Sequence, residues 1–454
     1  MKHDITITDV RTEFEDHAYR TPLKFGGIIT DKVTLLNVYV RIKNQAGKEM
    51  EGFGSMPLGN VWSFPSQKHT YDETLAAMKL LAEEIRKITV AYNEYEHPIA
   101  INHTLEPAYR DAAIRVTAAC SLIEPIPILC TLVVASPFDA AIHDAYGKIL
   151  GSNSFQTLSS DFVNQDLSHF LNEEFTGEYL DRFVSPKAKP TMPLYHLVGA
   201  VDPITEEDIP QRIDDGLPET LPEWIVANGL THLKIKLNGD NLDWDVERVA
   251  RVDRVAEETQ TRRGISEWFY SLDFNERCEN VEYLLDFLKQ VSEKAPQAMN
   301  RVQYIEQPTA RDLKAHPDNK MHKAAAIKPV VIDESLIDFE SLLLSRELGY
   351  SGVALKACKG QSQALLMGAA AQKYGMFLCV QDLTCPGASF MHSASLAAHI
   401  PTIVAIEGNG RQYCPSANEA WKDKFPSIFS VTDGTVGTAC LDGPGLGIVG
   451  PSRS

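Results

Sequence analysis

From residue 194 onward the apolar positions fall into two alternating patterns. Short apolar runs of strand length occur at 194–198, 233–237, 269–274, 302–307, 330–334, 352–358, 377–381 and 403–407. Between them lie longer stretches with apolar residues at helical spacing, at 243–258, 281–293, 339–348, 362–374 and 388–399. A strand, a helix and another strand in regular succession imply parallel pairing through crossover helices. Eight such units favour closure into a (β/α)8 TIM barrel, an α/β fold, over an open sheet. On a barrel of this kind, polar residues at the C-terminal ends of the strands face a common site.

The first 150 residues follow a different pattern. Residues 1–8 and 33–42 alternate as strands, and Asn44-Gln-Ala-Gly47 supplies a turn into a further short strand, so an antiparallel meander is expected. Thr70-Tyr-Asp-Glu73 has the form of a capping box ahead of a helix over 75–88. Further helices are expected at 108–120 and 136–150, the latter capped within Ser136-Pro-Phe-Asp139. Strands followed by helices make an α+β domain over 1–150, ahead of a barrel over 151–415 and a C-terminal segment over 416–454. Two glycine-rich stretches, 22–28 and 52–65, carry aromatics and read equally as plain connections or as lids over a site.

Composition narrows this picture modestly. A chain of 454 residues with 44% hydrophobic and 23% charged residues is ordinary for a globular protein with two domains. Its formal net charge of -18, with no offsetting Lys/Arg block, argues against a nucleic-acid partner. The N-terminus reads as a strand and not a signal, and no apolar run looks long enough to span a bilayer, so no membrane partner and a cytoplasmic location are expected. The eight cysteines show no C-x-x-C pair and are expected to be free thiols. The polar stretch 311–327, with His316 and His322, reads as a surface loop. Gly445-Leu-Gly-Ile-Val-Gly450 matches the dinucleotide fingerprint in form only, because no βαβ unit surrounds it.

The chemistry begins at Thr231-His-Leu-Lys-Ile-Lys-Leu237. Period-two alternation puts Lys234 and Lys236 on one face of a strand. Alone, that reads as a solvated edge. The runs that follow, however, end in Asp273, Glu306, Asp333 and Lys356. Each carboxylate singly could cap a helix or pair with a lysine. Three of them converging in a partly buried mouth repel unless a cation neutralises them, and an all-oxygen set selects Mg²⁺, with Mn²⁺ the alternative. Such an ion can hold the carboxylate of a small-molecule substrate and neutralise the charge that develops when its α-proton is removed. Lys236, close to Lys234 and to a divalent cation, is expected to have its pKa lowered toward the working range of a base. Lys356, four strands further round, approaches from the opposite side.

The K-x-K, the Asp/Glu/Asp series, Asp333-Glu-Ser and the later strand lysine together resemble the enolase superfamily, in particular its muconate-lactonizing-enzyme subgroup, over nearly the whole chain. The resemblance implies a modified barrel under an α+β capping domain completed by the C-terminal segment, with the stretches around Phe25 and over 52–65 acting as specificity loops. It implies Asp273, Glu306 and Asp333 as Mg²⁺ ligands, Lys236 and Lys356 as the acid/base pair, and Lys234 as the group that tunes Lys236 and touches the substrate carboxylate. Asn275 and Glu334 are implied to support these groups, and Phe25, Asp382, Glu407 and Asn409 to line the substrate; a homo-oligomer is also implied. The chain departs from the mandelate-racemase subgroup, which resembles it less, in having Lys356 and then Gln381-Asp382 where that subgroup has Asp and His. It departs from dipeptide epimerases in reading Ile406-Glu-Gly-Asn409 where they carry Asp-x-Asp.

The sequence therefore points to Mg²⁺-assisted removal of the proton α to a carboxylate. Two lysines on opposite faces permit racemisation, epimerisation or cycloisomerisation, which is the first reading. They equally permit a lyase that expels a β-leaving group from a hydroxy or sugar acid, the second reading. A Schiff-base aldolase and a non-catalytic binder are the rival classes.

Overall fold

A long antiparallel hairpin opens the chain in the computed structural model, which describes residues 1–25 and 27–448. Strand β1 (Ile5–Phe25) pairs with β2 (Ile28–Asn44), and β2 pairs antiparallel with β3 (Glu49–Pro57). Leu36, Val38, Val40 and Ile42 alternate along β2 and are buried, so one face of this sheet belongs to the core. Four helices follow: α1 (Asn60–Ser63), α2 (Tyr71–Val90), α3 (Pro98–Ala119) and α4 (Ile128–Leu150). The capping box of α2 forms as the sequence suggests, with Glu73 N on Thr70 Oγ1 at 3.3 Å and Thr70 N on Glu73 Oε2 at 2.7 Å.

Three expectations are corrected here. The stretch 52–65 is not an irregular loop: it is the end of β3 and the single turn α1. Gly52 and Gly54 serve close packing, since β3 lies directly on α4. Helix α4 begins at Ile128, so Ser136 and Asp139 lie inside it and cap nothing of their own; Ser136 Oγ bonds back to Val133 O at 2.8 Å. The same helix also overturns the reading that no apolar run is long enough for a bilayer. Its 23 residues pass on length and composition, yet 89% of the apolar window is buried inside the protein.

The second unit is a closed barrel. Strands β4 (Thr191–Val198), β5 (His232–Lys236), β6 (Phe269–Asp273), β7 (Val302–Glu306), β8 (Val330–Ile332), β9 (Gly352–Leu355), β10 (Phe377–Val380) and β11 (Ile406–Glu407) each run parallel to the next. Pairing of Ile406 with Leu194 and of Glu407 with Tyr195 closes the ring. Tyr195, Tyr304, Val331, Ala354, Cys379 and Ala405 form a separate apolar cluster, contributed by alternate layers of inward-facing strand residues. All eight expected strands are present. The last is only two residues long, and the strand at 352 stops at Leu355 before a 3-10 turn over Ala357–Lys359.

The C-terminal segment returns to both units. Strand β12 (Thr435–Gly437) pairs antiparallel with the start of β4, and Gly445 O accepts from Ser154 N at 2.7 Å while Leu446 N donates to Asp144 Oδ1 at 3.0 Å. Gly26, and Val449 and Gly450 of the glycine-rich tail, lie outside the described residues.

Candidate active site

Register explains why the site sits where it does. Lys236 pairs with Asp273 and Asp273 with Glu306, all at the C-terminal ends of adjacent parallel strands. Paired residues in a parallel sheet point to the same side, and the strand period of two sends Lys234 into the barrel with Lys236. Asp333 follows β8 directly and Lys356 follows β9. None of Lys234, Lys236, Asp273, Glu306, Asp333 and Lys356 is more than 5% exposed.

Ammonium groups and carboxylates interleave across this mouth. Lys234 Nζ lies 2.9 Å from Asp273 Oδ2, 2.7 Å from Glu306 Oε2 and 2.8 Å from Glu407 Oε2. Lys236 Nζ lies 2.5 Å from Asp273 Oδ2 and 2.9 Å from Asn275 Oδ1. Lys356 Nζ is 2.7 Å from Asp333 Oδ2, and Lys359 Nζ is 3.0 Å from Asp333 Oδ1 and bonds the Asp333 carbonyl. Burial opposes the charge on Lys234, but Asp273, Glu306 and Glu407 outweigh it and hold the ammonium well above its ordinary pKa. Lys356 is raised in the same way, chiefly by Asp333 against its burial. Burial also works against Asp273, where Lys234 and Lys236 prevail and lower it. For Glu306 burial wins with help from Asp273, and its carboxyl is raised.

The donor set suits a hard divalent cation. Asp273, Glu306 and Asp333 supply only oxygen, from three consecutive strand ends, and Asp273 and Glu306 already share one cationic group, the Lys234 ammonium. Asp333 is fully buried, and its two oxygens face ammonium groups at ion-pair distance without a hydrogen bond of good geometry to either. Among the described residues, no three Asp, Glu, His or Cys side chains close on a single point, and the Lys234 ammonium stands between Asp273 and Glu306.

The residues expected to line a substrate surround the same mouth. The Phe25 ring centre is 5.9 Å from Lys236 Nζ. Asn409 Nδ2 links Glu407 Oε1 at 2.7 Å to Asp382 Oδ1 at 3.1 Å, and Asp382 is pushed up to about 7, by burial first and then by Glu407. Glu334 accepts from Trp62 Nε1 at 2.9 Å. A cavity of about 430 Å³ is walled by Pro22, Leu197, Ile209, Trp224 and Tyr413, and none of the site lysines lines it.

Three further residues, to which the sequence reading gave no role there, reach the site. Lys359 follows Lys356 by one short turn, so its spacing was a usable signal. Trp62 lies in the glycine-rich stretch 52–65, with its ring 4.5 Å from Lys356 Nζ. Gln381 Nε2 bonds Glu306 Oε2 from β10, which only barrel closure reveals. Arg311 also corrects the reading of 311–327 as plain surface, since its guanidinium pairs with Glu276 and donates to the Trp62 carbonyl at 3.1 Å.

A family model described as enolase C-terminal domain-like matches residues 217–450. The chain belongs to that family, and with it to the enolase superfamily. Among solved structures, the fold is similar to that of muconate lactonizing enzyme from Pseudomonas fluorescens complexed with muconolactone, at TM-score 0.59 and 16% identity, covering 98% of this chain and 96% of that one. It is similar to a dipeptide epimerase from Enterococcus faecalis complexed with Mg and the dipeptide L-Leu-L-Tyr, at TM-score 0.62 and 14% identity, covering 97% and 99%. It is also similar to N-succinyl Arg/Lys racemase from Bacillus cereus, at TM-score 0.62 and 15% identity, covering 97% and 95%. No curated protein sequence matches the chain.

Proposed function

We propose that this protein is an isomerase that removes the proton α to the carboxylate of a small acid, such as an amino-acid derivative, and returns it on the other face. The observation that carries this reading is the position of two lysines. Strand β5 with Lys236 and β9, followed by Lys356, stand four strands apart in a ring of eight, which makes them opposite walls. A substrate α-carbon between them has one amine on each face. Either lysine, once deprotonated, takes the proton, and the other in its ammonium form supplies one to the resulting enediolate.

The arc between the lysines carries Asp273, Glu306 and Asp333, which would hold the divalent cation. When bound, Mg²⁺, or Mn²⁺ in its place, would anchor the substrate carboxylate and offset its second negative charge. The structural relatives support this choice, since one of them was crystallised with Mg and a dipeptide. Lys234, held protonated by its carboxylates, adds fixed positive charge beside the enediolate. Phe25 and Trp62 cover the mouth and exclude water from both lysines. The opposite arc, Asp382, Glu407 and Asn409, is read as the surface for the rest of the substrate. The free state of all eight cysteines supports a reducing compartment, and we place the enzyme in the cytoplasm.

The test is α-proton exchange followed by NMR in D₂O with Mg²⁺, using pools of N-acyl amino acids, proline derivatives, dipeptides and sugar acids. Wild type exchanges both stereochemical series, while Lys236→Ala and Lys356→Ala each lose one. Formation of an unsaturated product in place of the epimer would favour elimination of a β-leaving group, and exchange indifferent to both substitutions would end the two-base reading.

A further inference from the structure

Helix 361–373, which follows Lys356 and Lys359, has no N-terminal cap of its own. Its N-cap position is Gly360, at φ 116° and ψ 138°, and no side chain from the turn reaches the free N–H groups of its first residues. Those groups need an acceptor. It comes from the capping domain: Asp139, inside α4, accepts from Ser362 N at 2.7 Å through Oδ2 and from Ser362 Oγ at 2.8 Å through Oδ1. Asn102 of α3 donates to the same Oδ1 at 2.7 Å and fixes the carboxylate.

The neighbours of this contact are built to match. His143, one turn further along α4, places Nε2 2.9 Å from Ser362 Oγ and Nδ1 3.1 Å from Ser154 Oγ. Because the Ser362 hydroxyl donates to Asp139, it accepts from His143, which is therefore protonated on Nε2. Gly360 leaves the space the carboxylate needs, since a Cβ there would come within 3.1 Å of Asp139 Oδ2 at a φ that other residues rarely adopt. Asp139, His143 and Ser362 are all buried. A buried carboxylate at a domain junction is costly unless its hydrogen bonds are used, and here they are taken up by Ser362, through its N–H and its hydroxyl, and by Asn102.

That turn carries the site. Lys359 N bonds Lys356 O at 3.0 Å and Gly360 N bonds Ala357 O at 3.0 Å, so Lys356, Lys359 and the capped helix move as one piece. A cavity of about 320 Å³ opens beside the clamp, with Asn102, Asp139, Lys359 and Ser362 in its wall. The turn has room to shift if the clamp is cut. We infer that Asp139 is a positioning residue: it anchors the Lys356–Lys359 turn to the capping domain and so sets the place of the Lys356 ammonium. This rests on the reading of Lys356 as one of the two acid/base groups.

The test compares full-length wild type, Asp139→Asn and Ser362→Ala, all with Mg²⁺, by amide hydrogen exchange read by mass spectrometry. The inference expects exchange over 355–365 to rise about tenfold in Asp139→Asn, because the amide keeps one acceptor where three donors converge and turns an N–H toward the others, leaving a buried donor unpaired, with 232–237 and 269–275 unchanged. Ser362→Ala, which removes only the hydroxyl, gives a smaller rise in the same peptides. In the α-proton assay, Asp139→Asn lowers kcat in the stereochemical series lost by Lys356→Ala and leaves KM and the Lys236 series as in wild type. A folded Asp139→Asn with wild-type protection over 355–365, or with equal losses across the whole chain or in both series, would overturn it. Should Lys356→Ala leave both series intact, the acid/base reading fails while the amide exchange still decides whether Asp139 anchors the turn.

Discussion

Trp62 Nε1 lies 2.9 Å from Glu334 Oε1, a hydrogen bond that joins the turn after β3 to the residue next to Asp333. The other oxygen, Glu334 Oε2, is buried without a hydrogen-bond partner among the described residues, and burial, followed by the Asp333 charge, pushes the carboxyl up to about 7. The indole ring covers Lys356 on the same side, and Arg311 holds the Trp62 carbonyl. Trp62 is thus a fastening between the turn after β3 and the barrel. Trp62→Phe keeps a ring over Lys356 but strands Glu334, and its kcat/KM should fall about tenfold, in line with loss of a hydrogen bond to an acidic group. Trp62→Ala also removes the cation–π contact and should fall further. Wild-type kinetics in Trp62→Phe would show that the N–H carries nothing, and equal kinetics for the two variants that the ring carries nothing.

The four lysines predict an unusual response to metal removal. Because Lys234, Lys236, Lys356 and Lys359 already sit against the site carboxylates, a chelator should abolish α-proton exchange yet leave a cooperative thermal transition. Lys234→Ala should behave differently. It leaves Glu306 and Glu407 buried without their ammonium partner, a loss on the order of 3–5 kcal/mol for a broken buried pair. Mg²⁺ should then raise the melting temperature of Lys234→Ala more than that of wild type, which differential scanning calorimetry would read directly. Equal shifts would argue that the cation does not share these carboxylates.

Much of the barrel was visible in the chain because its strands are short apolar runs ending in polar residues, and the K-x-K spacing alone places two lysines on one face. What was hidden depended on closure. Glu407 meets Lys234 only because β11 pairs back onto β4, and nothing local to Glu407 marks it as a partner of a lysine 173 positions away. Asp139 invites a reading as a local cap, and it is a cap, but for a helix 223 positions on. The glycines of 52–65 were ambiguous for a physical reason: close packing of a strand and flexibility of a loop select the same residue.

That ambiguity makes Gly54 a sharp test of the packing. A Cβ at this position would stand 2.0 Å from Pro137 O and 3.0 Å from Ala141 N, both backbone atoms of α4 that cannot swing aside. The neighbouring Phe53 N is tied to Asp144 Oδ2 at 2.9 Å, so β3 has little freedom to retreat. Gly54→Ala should therefore cost about 2 kcal/mol or more, as overpacked cores do. The midpoint of urea unfolding measures it, and a stability within a few tenths of wild type would show that the two elements separate easily.

Acid sensitivity should trace to histidines held neutral. His97 accepts from Ile99 N at 3.2 Å through Nδ1 while Nε2 faces Thr157 O at 3.1 Å, so the neutral form with its proton on Nε2 satisfies both contacts. A second proton on Nδ1 would meet the Ile99 N–H. Burial accordingly lowers the imidazole from 6.5 to about 3, the Thr157 carbonyl opposing only in part. The folded pKa lies below the unfolded one, so the unfolded chain binds the proton first as pH falls. Stability is complete above about pH 6.5 and declines toward pH 3, by about 1.4 kcal/mol per pH unit for each such histidine. His392 is lowered to about 3 and His143 well below its ordinary value, both chiefly by burial, and they add to the slope. His97→Asn keeps an acceptor for Ile99 N but cannot titrate, so its unfolding free energy should lose about 2 kcal/mol less than that of wild type between pH 7 and pH 5. Urea unfolding at the two pH values decides the matter: an identical drop in both proteins would mean that His97 is already charged in the fold.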